Sequence, residues 1–302
     1  MKKKLLVSTM VAALILGSST LSANESTSQE SLSKSVKISV DKEKTKQKEG
    51  FKEAPQEIVK GFEDTLKAIS YLEGENSVEA KKVLKSATEN FQKALKASPE
   101  LDIVPFSQEI VVNEFLGDSQ KVKKALILAN NLITQYDTQV AKVVLAPLQD
   151  EMIITTQAIP MKLYPLATEK ALEALEKGDR EKALEMLRVS LNTIITETVV
   201  MPLPLLVAED LVATAAALDK SKKEEVLVLL NLAQDELKKA LYLGYTKKHA
   251  PAYQSLDDQI EALKKEVKGK NVVEKLYDKL KNSFSSLVGQ SREDSHSNQP
   301  AK

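Results

Sequence analysis

The chain has 302 residues, 42% of them hydrophobic and 4% aromatic, with no Cys or Trp, and its 43 basic and 43 acidic residues cancel. That apolar content is enough for a buried core. Balanced charge offers no clustered positive face for nucleic acid, and without Cys neither disulfides nor thiolate metal sites can form.

Residues 1–23 have the layout of a signal peptide. Lys2, Lys3 and Lys4 come first, then a short apolar run, then Ser22 and Ala23 as small cleavage positions. The run is too short to span a bilayer comfortably. The expectation is export to the periplasm or beyond the cell, with no stable membrane anchor after cleavage. Without those three lysines, 40 basic residues face 43 acidic ones, a net charge of −3. Residues 24–54 are mostly Ser, Lys, Glu, Gln and Thr, too polar to offset the entropy of ordering, and are expected to form a disordered linker. Residues 290–302 read as a second disordered stretch, which leaves 55–289 as one helical domain.

Within that domain, Phe62, Leu66, Ile69 and Leu72 recur at helical spacing, and residues 73–77 break the pattern. Ala80, Leu84, Ala87, Phe91 and Leu95 then mark a second apolar stripe. The pair reads as an αα-hairpin. The pattern returns around Gly178-Asp179 and, more faintly, around Tyr136-Asp137. A turn residue, an Asp or Glu, three or four further residues, then Ala80, Ala141 or Ala183 and a Leu four residues on are common to all three. The intervals of 61 and 42 residues are too uneven for a solenoid. Further stripes follow over 205–218, 226–241, 256–267 and 273–287, with Gly244 suited to a left-handed helix end.

Between the hairpins lie β-branched segments that carry prolines: Pro105, then Pro160 and Pro165, then Pro202 and Pro204. Proline lacks an N–H and clashes with the preceding helical turn, and it drives its predecessor toward extended geometry. The three segments either pair as a small sheet or finish the helices before them. The expected fold is mainly α: packed helical hairpins in a multi-helix bundle, with a small extended or β element around the Pro-rich segments.

No Walker loop, dinucleotide fingerprint, His-Glu-x-x-His or Gly-x-Ser-x-Gly is present. The two histidines, His249 and His296, cannot furnish a transition-metal site without many carboxylates. No cofactor, metal or catalytic residue is expected. Asp150 and Glu151 beside Thr155 and Gln157, then Tyr164, form one polar group; Asn192, Thr196 and Glu197 form another. If the two segments adjoin, they set hydroxyls, amides and carboxylates along an apolar crease able to hold a small ligand or a peptide. The ligand-binding candidates are Glu151, Thr155, Gln157, Tyr164, Asn192, Thr196 and Tyr245. The plainer reading is that these side chains satisfy backbone groups freed by the prolines.

Pro160-Met-Lys-Leu-Tyr164-Pro165, Leu191-Asn192-Thr193, Pro202-Leu203-Pro204 and Leu243-Gly244-Tyr245, in this order and spacing, resemble the YfdX family of bacterial proteins. The likeness runs from about Pro55 to Leu287. The resemblance implies an exported, stress-associated, mainly helical protein, a homo-oligomer with chaperone-like holding of unfolded clients. It supplies no catalytic residues.

Overall fold

A computed structural model describes residues 7–12, 23–219, 221–268 and 274–297. Most of the expected signal peptide (1–6 and 13–22) and the last residues of the expected tail (298–302) lie outside the described residues. Four strands form one sheet in the order β1 (Val7–Ala12), β2 (Ile103–Phe115), β3 (Glu151–Pro160) and β4 (Ile195–Pro202). β1 runs parallel to β2, from Val7 opposite Ile110 to Ala12 opposite Phe115. β2, β3 and β4 are antiparallel. They are the three β-branched, Pro-bearing segments, so the prolines mark strands rather than only helix ends.

The strands close in the same way twice. After Pro160, the Met161 N–H donates to the Asp102 carbonyl just before β2 at 2.7 Å. After Pro202, the Leu203 N–H donates to the Asp150 carbonyl just before β3 at 2.9 Å. A proline that cannot donate is followed at once by a residue that can, and the neighbouring strand's start takes the bond.

The chain divides into two compact units, where one domain was expected: Met1–Lys48, Ile110–Ile154 and Thr198–Lys302 form unit 1, and Glu49–Glu109 with Thr155–Glu197 form unit 2. Single-domain periodicity hides this, because each of β2, β3 and β4 starts in one unit and ends in the other.

Unit 2 holds two hairpins, α2 (Gln56–Glu73) with α3 (Ser77–Ala97) and α6 (Tyr164–Glu176) with α7 (Arg180–Leu191). Its core includes Ile58, Leu72, Leu84, Phe91, Ile159, Tyr164 and Leu187. Gly61 lets α3 approach α2: a Cβ there would lie 3.0 Å from the Phe91 ring. Unit 1 holds α1 (Ala23–Gly50), the hairpin α4 (Ser119–Thr134) with α5 (Thr138–Leu145), and the run α8 (Leu203–Ala217), α9 (Lys223–Tyr242), α10 (Pro251–Lys268) and α11 (Glu274–Ser297). Its core is built on α8, whose apolar residues face nearly all round, against α9 and α11, and α10 packs on those two.

Two expectations of disorder are corrected here. The expected linker over 24–54 is largely α1. Its apolar stripe is only Leu32, Val36 and Val40, but Ser35 and Ser39 are buried beside them and the Ser39 hydroxyl donates to the Leu206 carbonyl at 3.2 Å. The expected tail over 290–302 continues α11 as far as Ser297.

The three hairpins end their first helices in one way. Glu75, Tyr136 and Gly178 take the left-handed conformation, with φ of 60°, 65° and 81°. Each donates its N–H three residues back, and the next residue, Asn76, Asp137 or Asp179, donates five residues back. That pair of bonds is the Schellman ending. Four residues after each of these caps comes a buried alanine, Ala80, Ala141 or Ala183. Each hairpin is followed by a strand, so the chain repeats a helix–helix–strand unit three times.

Candidate functional site

Asp150, the residue before β3, is the hub of unit 1. Its main-chain carbonyl takes the Leu203 bond, its Oδ1 accepts from the Phe115 N–H at 3.4 Å, and its own N–H donates to the Tyr245 hydroxyl at 3.2 Å. Tyr245 then donates to Glu151 Oε2 at 2.8 Å. Tyr245 reaches this place because Gly244, at φ 87°, ends α9 with the same Schellman turn.

Opposite Asp150, α9 presents Glu236 and Lys239 one turn apart. The Lys239 ammonium lies 2.8 Å from both Asp150 Oδ2 and Glu236 Oε2, with all three side chains at most 5% exposed. Burial pushes Glu236 up to about 7, opposed by Lys239. Burial also raises Asp150, again against the pull of Lys239. Lys239 itself loses solvation, but Glu236 and Asp150 outweigh that loss and hold it above the usual lysine range. A lysine held charged in this way is no nucleophile. On β2, Glu114 is raised by burial and then by the Asp150 charge. Tyr245 is raised by burial and by Glu151.

This cluster borders a cavity of about 560 Å³. Its apolar wall includes Leu32, Val36, Phe115, Leu203, Val207 and Leu232. At one rim α4 begins: Asp118 accepts from the Lys121 N–H at 2.8 Å, and Asp235 accepts both the N–H and the hydroxyl of Ser119. Those bonds satisfy donors that a helix start leaves open.

Of the candidates read from sequence, Glu151 and Tyr245 are brought together here. Thr155, Gln157, Tyr164, Asn192 and Thr196 fall in unit 2. Tyr164 is fully buried, its ring 5.8 Å from Phe62 and 5.6 Å from Phe91. Burial pushes its hydroxyl up to about 12, and the nearby Ser190 and Thr65 hydroxyls only partly offset this. Both of those donate to main-chain carbonyls, and the Tyr164 oxygen has no well-formed hydrogen bond. Asn192 edges a shallow groove along α7 with Arg180, Glu185 and Arg188. Gln157 and Thr196 are exposed and, with Thr155, make no side-chain hydrogen bond among the described residues. Glu236 and Lys239 were not legible, since Asp235-Glu236-Leu-Lys238-Lys239 looks like any solvated helix face; only the buried stripe of Ala233, Leu237 and Ala240 hints otherwise.

A second feature of unit 1 is a set of exposed large apolar residues on α4, α5 and the turn between them. Ile127, Leu128, Ile133, Tyr136, Val140 and Val143 are all exposed there, Tyr136 at 91% and Val143 at 73%. Aligning the three hairpins on their left-handed residues shows how unusual this is. Where α5 has Val140 and Val143, α3 has Glu79 and Lys82, and α7 has Lys182 and Glu185. Leu128 answers to Lys67 and Lys170. Tyr136 also holds a conformation that a bulky residue adopts at a cost.

Among the described residues no helix is long and apolar enough to cross a membrane, and no group of His, Asp or Glu could hold a metal ion. Residues 62–200 match the model of the YfdX protein family. The match spans the three helix–helix–strand units from α2 to β4 and stops short of α8, whereas the resemblance in sequence extends as far as Leu287. Among solved structures, a crystal structure of Salmonella Typhi YfdX is 16% identical, aligned over 49% of this chain and 91% of that one, with a TM-score of 0.34. No curated protein matches.

Proposed function

We propose that this protein is a YfdX-family member, an exported, non-enzymatic holding protein that binds apolar segments of unfolded clients and assembles with copies of itself. The observation that supports this reading is the set of exposed large apolar residues on α4, α5 and their turn. Large apolar side chains rarely gather on a surface without a partner. Leu128, Val140 and Val143 stand where the two sibling hairpins have charged residues, so the hairpin fold itself does not require apolar groups there.

The test is aggregation of a denatured client in the presence of the chain lacking residues 1–23. The chain suppresses aggregation near equimolar ratio, and the variant Tyr136→Glu, Val140→Glu, Val143→Lys loses most of the effect while keeping its helical circular dichroism. Those positions are solvent-facing, so the fold tolerates the charges. No suppression by the unaltered chain at molar excess overturns the reading.

A further inference from the structure

The cavity of unit 1 is independent of the exposed apolar residues on α4 and α5 and carries a separate conclusion. Its size, about 560 Å³, is within the range of small-molecule sites. One side is apolar: Leu32 and Val36 from α1, Leu203 and Val207 from α8, and Phe115 and Leu232. The other is acidic. Asp118 and Asp235 are spent on the start of α4. Lys239 is one cation between two carboxylates, each 2.8 Å away, so a single ammonium serves two acids among side chains at most 5% exposed. The Glu114 side chain, half-buried on the lining, makes no hydrogen bond or ion pair among the described residues. From α1 the lining contributes Ser28, Gln29 and Ser33 beside its two apolar residues, and no charge. Lys121, at the α4 rim, is the one other cation on the lining among the described residues.

A buried excess of negative charge is costly unless a cation meets it. An anion would have to enter against the five carboxylates of the lining, Glu114, Asp118, Asp150, Asp235 and Glu236. A simple inorganic cation would gain nothing from the apolar wall. We propose that this cavity binds an amphiphilic organic cation, with its ammonium group at Glu114 and the Asp150–Lys239–Glu236 triad and its hydrocarbon body along Leu203, Val207, Leu32 and Val36. The conclusion goes beyond the holding function and does not depend on it. It uses a different set of residues from the ligand site expected near Tyr164 and Asn192; of its acidic groups, Asp150 alone stood out in the sequence.

The probes are n-octylammonium, n-octanol, n-octanoate and ethylammonium, each below its micellar concentration, read by thermal shift and isothermal titration on the chain lacking residues 1–23. Octylammonium raises the midpoint and binds at one site, ethylammonium and octanol bind at least tenfold more weakly, and octanoate does not bind. Glu114→Gln lowers octylammonium affinity at least tenfold and leaves octanol unchanged. Because Glu114 is half-buried and unpaired, this variant folds; far-ultraviolet circular dichroism confirms it. Tighter binding of octanoate than of octylammonium overturns the proposal. So does equal binding of octylammonium to Glu114→Gln, or no binding by any probe. A ligand response with no aggregation suppression refutes only the holding function, and the converse refutes only this site.

Discussion

Asp102 and Asp150 hold equivalent places in the fold, and their side chains have opposite fates. Each precedes a strand, and each offers its carbonyl to the residue after a strand-ending proline. Asp102 then turns to solvent and meets Lys162 at 3.2 Å, with 60% and 77% of the two side chains exposed. Asp150 turns inward onto Lys239, in a pair almost without solvent. The main-chain bond is therefore what the architecture demands, and the buried charge is an addition peculiar to unit 1. Unit 2 has an aromatic centre instead, where Phe62 also meets Phe106 at 4.6 Å. A surface pair of the first kind is worth about 0–1 kcal/mol, whereas removing one partner of a buried pair costs about 3–5 kcal/mol.

The largest expected effect follows. Lys239→Met leaves two carboxylates facing each other without a cation and lowers stability by about 3–5 kcal/mol in urea unfolding. Lys162→Met changes it by less than about 0.5 kcal/mol. Equal losses would show that the two aspartates are energetically alike and break the contrast.

Next in size is a change to unit 2. Gly61→Val puts branched carbons where even a Cβ sits 3.0 Å from Phe91, and the ring cannot retreat past Tyr164. Overpacking of this kind costs about 2–3 kcal/mol. The control is Gly50→Val, where a Cβ meets nothing within 4 Å.

The units also differ in their response to acid. Glu236 takes up its proton near 7 when folded and near 4.5 when unfolded, so between those values the native state binds more protons. Stability then rises as pH falls from 7 toward 5, and Asp150 and Glu114 act in the same direction. Lys239 stays charged throughout this window. The gain is on the order of 2 kcal/mol, seen as a higher melting midpoint at pH 5 than at pH 7, and Glu236→Gln flattens it. Tyr164, pushed up to about 12, contributes nothing here. A midpoint that falls steadily from pH 7 to 5 would remove the buried triad as the controlling group.

Much of this contrast was hidden in the sequence. Prolines in β-branched runs pointed to all three antiparallel strands or to helix ends, because proline's missing donor is a local property; Pro160 and Pro202 close β3 and β4, and Pro105 lies near the start of β2. Hairpins were legible from buried stripes such as Ala80, Leu84 and Phe91. The repeated Schellman turns were only half legible: Gly178 announces a left-handed residue, but Glu75 and Tyr136 do not. α1 was missed because two of its buried positions are serines. The triad was missed because Asp150 and Lys239 are 89 residues apart, and no spacing rule joins an aspartate before a strand to a lysine on a charged helix.

The smallest effect separates two tyrosines that burial alone would rank the other way. The Tyr245 hydroxyl both accepts from the Asp150 N–H and donates to Glu151, so Tyr245→Phe leaves a buried main-chain donor and a carboxylate short of one partner each. A loss of about 1 kcal/mol is expected. The Tyr164 hydroxyl is more deeply enclosed but has no well-formed bond, and Ser190 and Thr65 keep their own carbonyl acceptors without it. Tyr164→Phe keeps the ring contacts with Phe62 and Phe91 and is neutral or slightly stabilising, because it removes a buried polar atom that gains little in return. The two variants, compared by urea unfolding at pH 7, thus order polar function against polar burial. Tyr164→Phe costing more than Tyr245→Phe would mean that the hydroxyl beside Ser190 is the better bonded of the two, and that unit 2 also has a polar centre.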